Sequence, residues 1–141
     1  MGLRVFLTGV AIATAAIPAA AAAPNASIEG RWQTEARDAV VEIAPCGQSL
    51  CGRIVRFLKP PPGGIDQRDV KNPDAKLRGR RLLGLSVLTG FARDGDEWRG
   101  RIYDPKSGKD YRSVLETHGS RLTVKGCIGP FCKSQSWTRA G

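Results

Sequence analysis

The sequence contains one histidine, His118, and this scarcity excludes several kinds of enzyme site. A lone imidazole without a neighbouring nucleophile or a second metal ligand supports neither triad chemistry nor a histidine metal centre. Beside Gly119 it is typical of a turn residue. We therefore assign no catalytic residue, no metal ligand and no cofactor, and we expect a protein that is not an enzyme.

Other chemical motifs are incomplete. Four oxygen-bearing side chains are spaced loosely like a calcium loop but lack its glycine and its terminal glutamate; they are Asp66, Asp69, Asn72 and Asp74. The dipeptide Gly108-Lys109 lacks the earlier glycine and the following hydroxyl residue of a phosphate loop. Aromatic residues make up 6% of the chain and do not alternate with basic residues, so we expect no nucleic-acid partner.

Only one apolar run is long, and it lies at the N-terminus. A positive start is followed by apolar residues from Val5 to Ile17 and an alanine-rich stretch to Ala23, which predicts a signal peptide over residues 1–23. The run is shorter than the roughly 20 residues of a membrane span. We expect residues 24–141 to form one exported domain, secreted or in a bacterial periplasm, with no transmembrane segment after cleavage.

Acidic residues are few, 13 against 22 lysines and arginines, which gives a net charge of +9. A basic exported protein is suited to anionic envelope surfaces. The alternative is that the charges only solvate the strand faces of a small domain.

Four cysteines occur as two matched pairs, Cys46 with Cys51 and Cys127 with Cys132. In an exported chain an even number of cysteines favours disulfides. Each pair flanks a hairpin tip, where residues on facing strands lie within disulfide reach. A four-cysteine zinc site is the alternative, but it prefers tighter spacing.

Alternating apolar and polar runs, broken by turn residues about every ten positions, predict an all-β protein. We predict a single eight-stranded up-and-down antiparallel barrel, since each strand has one apolar and one polar face. The predicted strands are 29–35, 39–45, 51–58, 82–91, 97–103, 110–117, 120–127 and 132–139. A long loop, residues 59–81, joins strands 3 and 4, and it contains a short helix capped by Asn72 and ended by Gly79.

The interior of such a barrel either holds one small ligand or is filled by side chains. Strand alternation directs Leu85, Val87 and other apolar residues inward, interrupted by Thr89 and a few other polar groups. The long loop adds polar and basic groups near one end. The predicted ligand-binding residues are Leu85, Val87, Phe91, Trp98, Ile102, Tyr111, Ser113, Asp69, Asn72 and Arg78.

The two ends of the chain predict how the barrel closes. Gly30 and Trp32 begin the first strand, Trp137 and Arg139 end the last, and we assign all four a structural role in which the guanidinium stacks on the indole of Trp32. A Gly-x-Trp on the first strand with such an arginine resembles the calycins, the lipocalins and their relatives.

The resemblance extends over most of the chain. Motifs such as Leu50-Cys51-Gly52-Arg53, Asn72-Pro73-Asp74 and Tyr103-Asp104-Pro105 are similar to those of the small secreted bacterial proteins of domain-of-unknown-function family 2147. This resemblance implies export and a calycin-like barrel, but no activity.

Two functions agree with these predictions. The first is an exported barrel that binds a hydrophobic small molecule, fatty-acid or lipid-like, in the periplasm. The alternative is a filled barrel without a ligand, acting as an envelope protein-interaction or structural module through the 59–81 segment and the Phe131 tip.

Overall fold

The computed structural model describes residue 2, residues 9–18 and residues 27–141; the predicted cleavage region around Ala23 lies outside them. Eight antiparallel strands form a closed barrel in which each strand pairs with the next and β8 pairs with β1. The predicted up-and-down barrel is confirmed. The strands are β1 Gly30–Gln33, β2 Ala39–Cys46, β3 Ser49–Phe57, β4 Ser86–Asp94, β5 Glu97–Asp104, β6 Lys109–His118, β7 Arg121–Ile128 and β8 Phe131–Arg139.

The connections divide between the two ends of the barrel. We call one end the mouth; its connections are residues 34–38, 58–85, 105–108 and 129–130. The opposite, closed end carries residues 47–48, 95–96 and 119–120. None of the helices in the described residues is long and apolar enough to cross a bilayer.

Both predicted disulfides are present, one at each end. Cys46 bonds Cys51 at the closed end, and Cys127 bonds Cys132 at the mouth. Each bond links residues five positions apart, so it closes only a hairpin tip. Disulfides of this kind form and persist in oxidising compartments, as in exported proteins.

Trp32 seals the closed end of the barrel. Its side chain is completely buried, and its indole nitrogen donates a hydrogen bond to the carbonyl of Ile28 at 2.8 Å. The Arg139 guanidinium lies 3.9 Å from the ring centroid, close enough for a cation–π contact. Gly30, at φ 114°, leaves room for Arg139, because a Cβ there would lie 2.6 Å from a guanidinium nitrogen.

Strand β4 departs from the predicted alternation. It begins at Ser86 rather than at residue 82, because the preceding residues turn and the Leu85 amide bonds to the Leu82 carbonyl at 3.0 Å. The β4–β5 register then shifts between Thr89 and Ala92. A bulge of this kind reverses which face a side chain occupies. Leu88 and Phe91 are therefore both buried, and the prediction that Thr89 faces inward is wrong.

The predicted helix in the β3–β4 connection is shorter than expected and begins later. It is a single 3₁₀ turn, Ala75–Leu77, capped by Asp74, whose side chain accepts a hydrogen bond from the Lys76 amide at 3.0 Å. Asn72 is not the cap because Asp74 is extended, at φ −84° and ψ 110°, and the turn starts after it; the Asn72 side chain donates to Asp69 and accepts from the Asp74 amide. A second 3₁₀ turn, Gly64–Asp66, was not predicted.

Candidate functional site

A cavity of about 1150 Å³ opens at the mouth of the barrel. Its floor and walls are mainly apolar, and the lining residues come from five strands and from the β1–β2, β3–β4 and β5–β6 connections. Ligand sites in proteins are typically concave and apolar with a few polar groups at defined positions. The main apolar residues are Val41, Ile54, Phe57, Leu82, Val87, Ile102 and Trp137.

Charged side chains surround the opening of this cavity. Lys106 is paired with Asp38, whose carboxylate lies 2.7 Å from the ammonium nitrogen. Burial alone would raise the pKa of Asp38, but hydrogen bonds from Lys106 and Thr34 and the lysine charge lower it below its usual value. Lys59 and Lys71 also line the cavity, and neither makes an ion pair with another described residue. Their charges are available to an anionic group at the mouth.

A buried carboxylate, Asp69, holds the β3–β4 connection against the barrel. Its side chain is completely buried, and one of its oxygens accepts a hydrogen bond from the Tyr103 hydroxyl at 2.6 Å. The other oxygen accepts from the Asn72 amide and from Arg80, each at 2.9 Å. Tyr103 belongs to β5 and the other three residues to the β3–β4 connection, so the hydrogen bonds of this cluster hold the connection against β5.

The surroundings of this cluster fix its charge state. Burial would raise the pKa of Asp69, but the hydrogen bonds from Tyr103, Asn72 and Arg80, together with the Arg80 charge, lower it below its usual value. Burial and the neighbouring Asp69 carboxylate raise the pKa of Tyr103 to about 12. At neutral pH, Asp69 is therefore ionised and Tyr103 is protonated, which is the state that their hydrogen bond requires.

The same connection also packs against the β5–β6 turn. Gly108 is buried in that turn with φ 71°, a conformation that side chains other than glycine rarely adopt. A Cβ at this position would collide with the carbonyl oxygen of Lys71. The position therefore requires glycine, because the two backbones are in direct contact.

Two of the ten predicted ligand-binding residues, Val87 and Ile102, line the cavity. Leu85 and Phe91 are buried in the hydrophobic core and do not line the cavity. Trp98 packs against the edge of that core, and the guanidinium carbon of Arg93 lies 5.6 Å from the centroid of its ring.

The remaining five predicted residues lie elsewhere. Tyr111 is half-buried opposite Ile102 on the neighbouring strand. Ser113 is 2% exposed, and its hydroxyl has no hydrogen-bond partner in the described part of the chain. Asp69 and Asn72 belong to the cluster described above, and Arg78 donates to the carbonyl of Asn72 at 2.7 Å. The three residues from the connection therefore bond mainly to one another and to the barrel.

Trp137 is a cavity residue that sequence reasoning assigned only to barrel closure. It is 3% exposed and lines the cavity from the inner face of β8. The sequence did contain a signal for this position. Trp137 lies two residues before Arg139, and alternation in a strand places both on the face that meets Trp32.

The closed sheet, its sealed end and its open apolar cavity define a small barrel of the lipocalin-like class. The solved structure of protein HP1028 from Helicobacter pylori, described as belonging to the lipocalin family, has this fold: the TM-score is 0.71 at 20% identity, over 82% of this chain and 84% of that chain. Residues 30–139 match the family described as uncharacterized protein conserved in bacteria (DUF2147), and the chain belongs to this family. A comparison with curated proteins gave no match.

Proposed function

We propose that this protein is an exported, periplasmic barrel that binds a fatty-acid or lipid-like molecule without catalysing a reaction on it. The observation that carries the proposal is the cavity of about 1150 Å³ with apolar walls at the barrel mouth. A cavity of this volume favours a ligand-binding protein over the alternative of a barrel filled by its own side chains.

The apolar part of the ligand would occupy the inner cavity. Phe57 and Ile102 line it and are half-buried, so both present apolar surface to it, whereas Val41, Ile54 and Trp137 form the floor beneath at 6% exposure or less. Transfer of an acyl chain into such a space is favourable by about 0.8 kcal/mol for each buried CH₂ group. Chain length should therefore influence affinity strongly.

The polar head would remain at the opening. Lys59 and Lys71 line the cavity there, and neither is neutralised by a carboxylate among the described residues. Lys106 is neutralised by Asp38 and is less available. A carboxylate or phosphate head is thus favoured over a neutral one, since only the anion gains from these charges.

Export is the part of the proposal that rests on the cysteines and the N-terminus. Both disulfides suit an oxidising compartment. Residues 1–23 have the charge and apolar pattern of a signal peptide, and the processed protein would start near residue 24. Mass spectrometry of the protein recovered from a periplasmic extract would give the mass of the processed chain.

Titration with cis-parinaric acid, a fluorescent fatty acid, tests binding. Ile102 is half-buried and lines the cavity, so Ile102→Trp should place a bulkier ring where the acyl chain would lie and reduce affinity at least tenfold, about 1.4 kcal/mol. Ile102→Leu, which conserves volume, is the matched control and should bind like the natural chain. Equal binding by both variants, or none by the natural protein, would overturn the proposal.

The head group is tested separately with Lys59→Gln and Lys71→Gln. These variants should weaken binding of the acid but not of the corresponding alcohol, which lacks the charge. Equal weakening of both ligands would contradict the assignment of the two lysines to the head group.

A further inference from the structure

The exposed large apolar side chains of residues 27–141 all lie at the mouth end. Four are in the β3–β4 connection and two flank the β7–β8 turn, whereas the three closed-end turns have none. Single exposed apolar side chains are ordinary, but in this part of the chain they are confined to one end of the barrel. They are Leu58, Ile65, Val70, Leu77, Ile128 and Phe131.

The β7–β8 tip presents the two most exposed of them side by side. Ile128 and Phe131 face each other across the hairpin and are 68% and 80% exposed. The tip is constrained by the Cys127–Cys132 disulfide just behind it and by a hydrogen bond from Arg112 to the Gly129 carbonyl. Little conformational entropy would be lost when this pair enters an apolar environment.

The β3–β4 connection, which lies at the same end of the barrel as this tip, is strongly basic. Residues 58–85 contain seven lysines and arginines against three acidic residues. The acidic residues are already engaged: Asp66 pairs with Arg81, Asp69 is buried against Arg80, and Asp74 caps a 3₁₀ turn. The exposed cations of this connection that make no ion pair with a described residue are Lys59, Arg68, Lys71, Lys76 and Arg78.

We propose that the mouth end docks on an anionic phospholipid bilayer. Ile128 and Phe131 would insert at the boundary between head groups and acyl chains, and the exposed cations of residues 58–85 would face the lipid phosphates. A second copy of this chain fits the surface less well, since two mouths brought together would place like charges opposite each other. This inference goes beyond ligand binding and does not depend on it.

The two disulfide-closed tips supply a matched pair of probes. Phe131→Trp places a reporter at the mouth, and Gln48→Trp places one in the exposed tip between Cys46 and Cys51 at the closed end. With vesicles of phosphatidylcholine containing phosphatidylglycerol, brominated acyl chains should quench fluorescence of Phe131→Trp more than that of Gln48→Trp. Equal quenching of the two variants, or none, would overturn the proposal.

A second comparison tests the charges without touching the apolar tip. Lys76 and Arg121 are both exposed, one at the mouth and one at the closed end. Lys76→Glu should lower partitioning into phosphatidylglycerol vesicles at least about fivefold, and Arg121→Glu should lower it much less. Equal loss in the two variants, or equal binding to pure phosphatidylcholine, would contradict a role for the basic connection. Self-association through the tip, seen in sedimentation and abolished by Phe131→Ser, would overturn the bilayer as partner.

Discussion

Asp69 stabilises the mouth because donors from two separate parts of the chain meet on its buried carboxylate. Asp69→Asn keeps the shape but loses the charge that Arg80 and Tyr103 both use. We expect a loss of about 2–3 kcal/mol in the free energy of unfolding at pH 7, measured with urea. Asp66→Asn removes an exposed ion pair with Arg81 and should cost less than about 1 kcal/mol.

The pH dependence of that loss follows from the direction of the Asp69 pKa. The folded state holds it below the ordinary value of 3.8, so the stabilisation is complete above about pH 4 and disappears as the pH falls through the folded pKa. The difference between the natural chain and Asp69→Asn should therefore shrink in acid. A difference that stays constant from pH 7 to pH 3 would mean that the charge is not what stabilises the segment.

The stabilisation from Tyr103 should depend on pH in the opposite direction, since it is lost as the pH rises. Its pKa is raised to about 12, so the folded state favours the protonated phenol, and this stabilisation is complete below about pH 10. It is lost as the pH rises from about 10 to 12. Unfolding measured over this range should show a step in the natural chain that is missing in Tyr103→Phe, and an identical decline in both would contradict the hydrogen bond to Asp69.

At the scale of elements, the attachment of the β3–β4 connection depends on Gly108. Gly108→Ala should force the Lys71 backbone away and increase the rate of tryptic cleavage after Arg68 and Lys71. Gly119→Ala is the matched control, because Gly119 has a similar φ of 63° but a Cβ added there would meet nothing within 4 Å. Both variants carry the backbone strain, so faster cleavage only in Gly108→Ala would identify the collision as the cause. Equal rates would refute it.

The strands and the β3–β4 connection show which features local sequence patterns predict and which they do not. Alternation found the eight strands because most of them bury one face, but it failed at Thr89, where a bulge that contains Gly90, at φ 65°, changes the phase. The capping prediction chose Asn72 because local preference allows it, whereas the structure uses Asn72 to bond Asp69 and leaves the cap to Asp74.

The site was harder to predict than the strands, for a related reason. Alternation directed Val87 and Ile102 inward, where they line the cavity, but Asp69 and Tyr103 are 34 residues apart and no periodicity links them. Most of the lining residues also come from the connections at the mouth, residues 34–38, 58–85 and 105–108, whose sequences show no alternation from which their position could be predicted.

At the scale of the whole molecule, barrel closure is the weakest part of the sheet. Between β1 and β8 only Trp32 pairs with Arg139 and Gln33 with Thr138, whereas β7 and β8 pair along their whole lengths. Side-chain contacts of Arg139 add to the few backbone pairs between these two strands. Arg139 stacks on Trp32 and donates to the carbonyls of Glu29 and Ser27 at 2.5 and 3.1 Å. The disulfides do not help, since neither crosses this seam.

Arg139→Lys should therefore loosen the pairing between β1 and β8, whereas loss of a disulfide should not. The substitution keeps the charge but removes the planar stack and the forked hydrogen bonds, at a cost of about 1–2 kcal/mol. Amide hydrogen exchange should become faster along β1 and the end of β8, and Arg121→Lys at the same end should leave it unchanged.

Replacing Cys46 and Cys51 by serine should cost about 2 kcal/mol on the chain-entropy account, with faster exchange centred on the β2–β3 tip. If both changes accelerated the same amides, closure would be a property of the whole sheet rather than of the Arg139 seam.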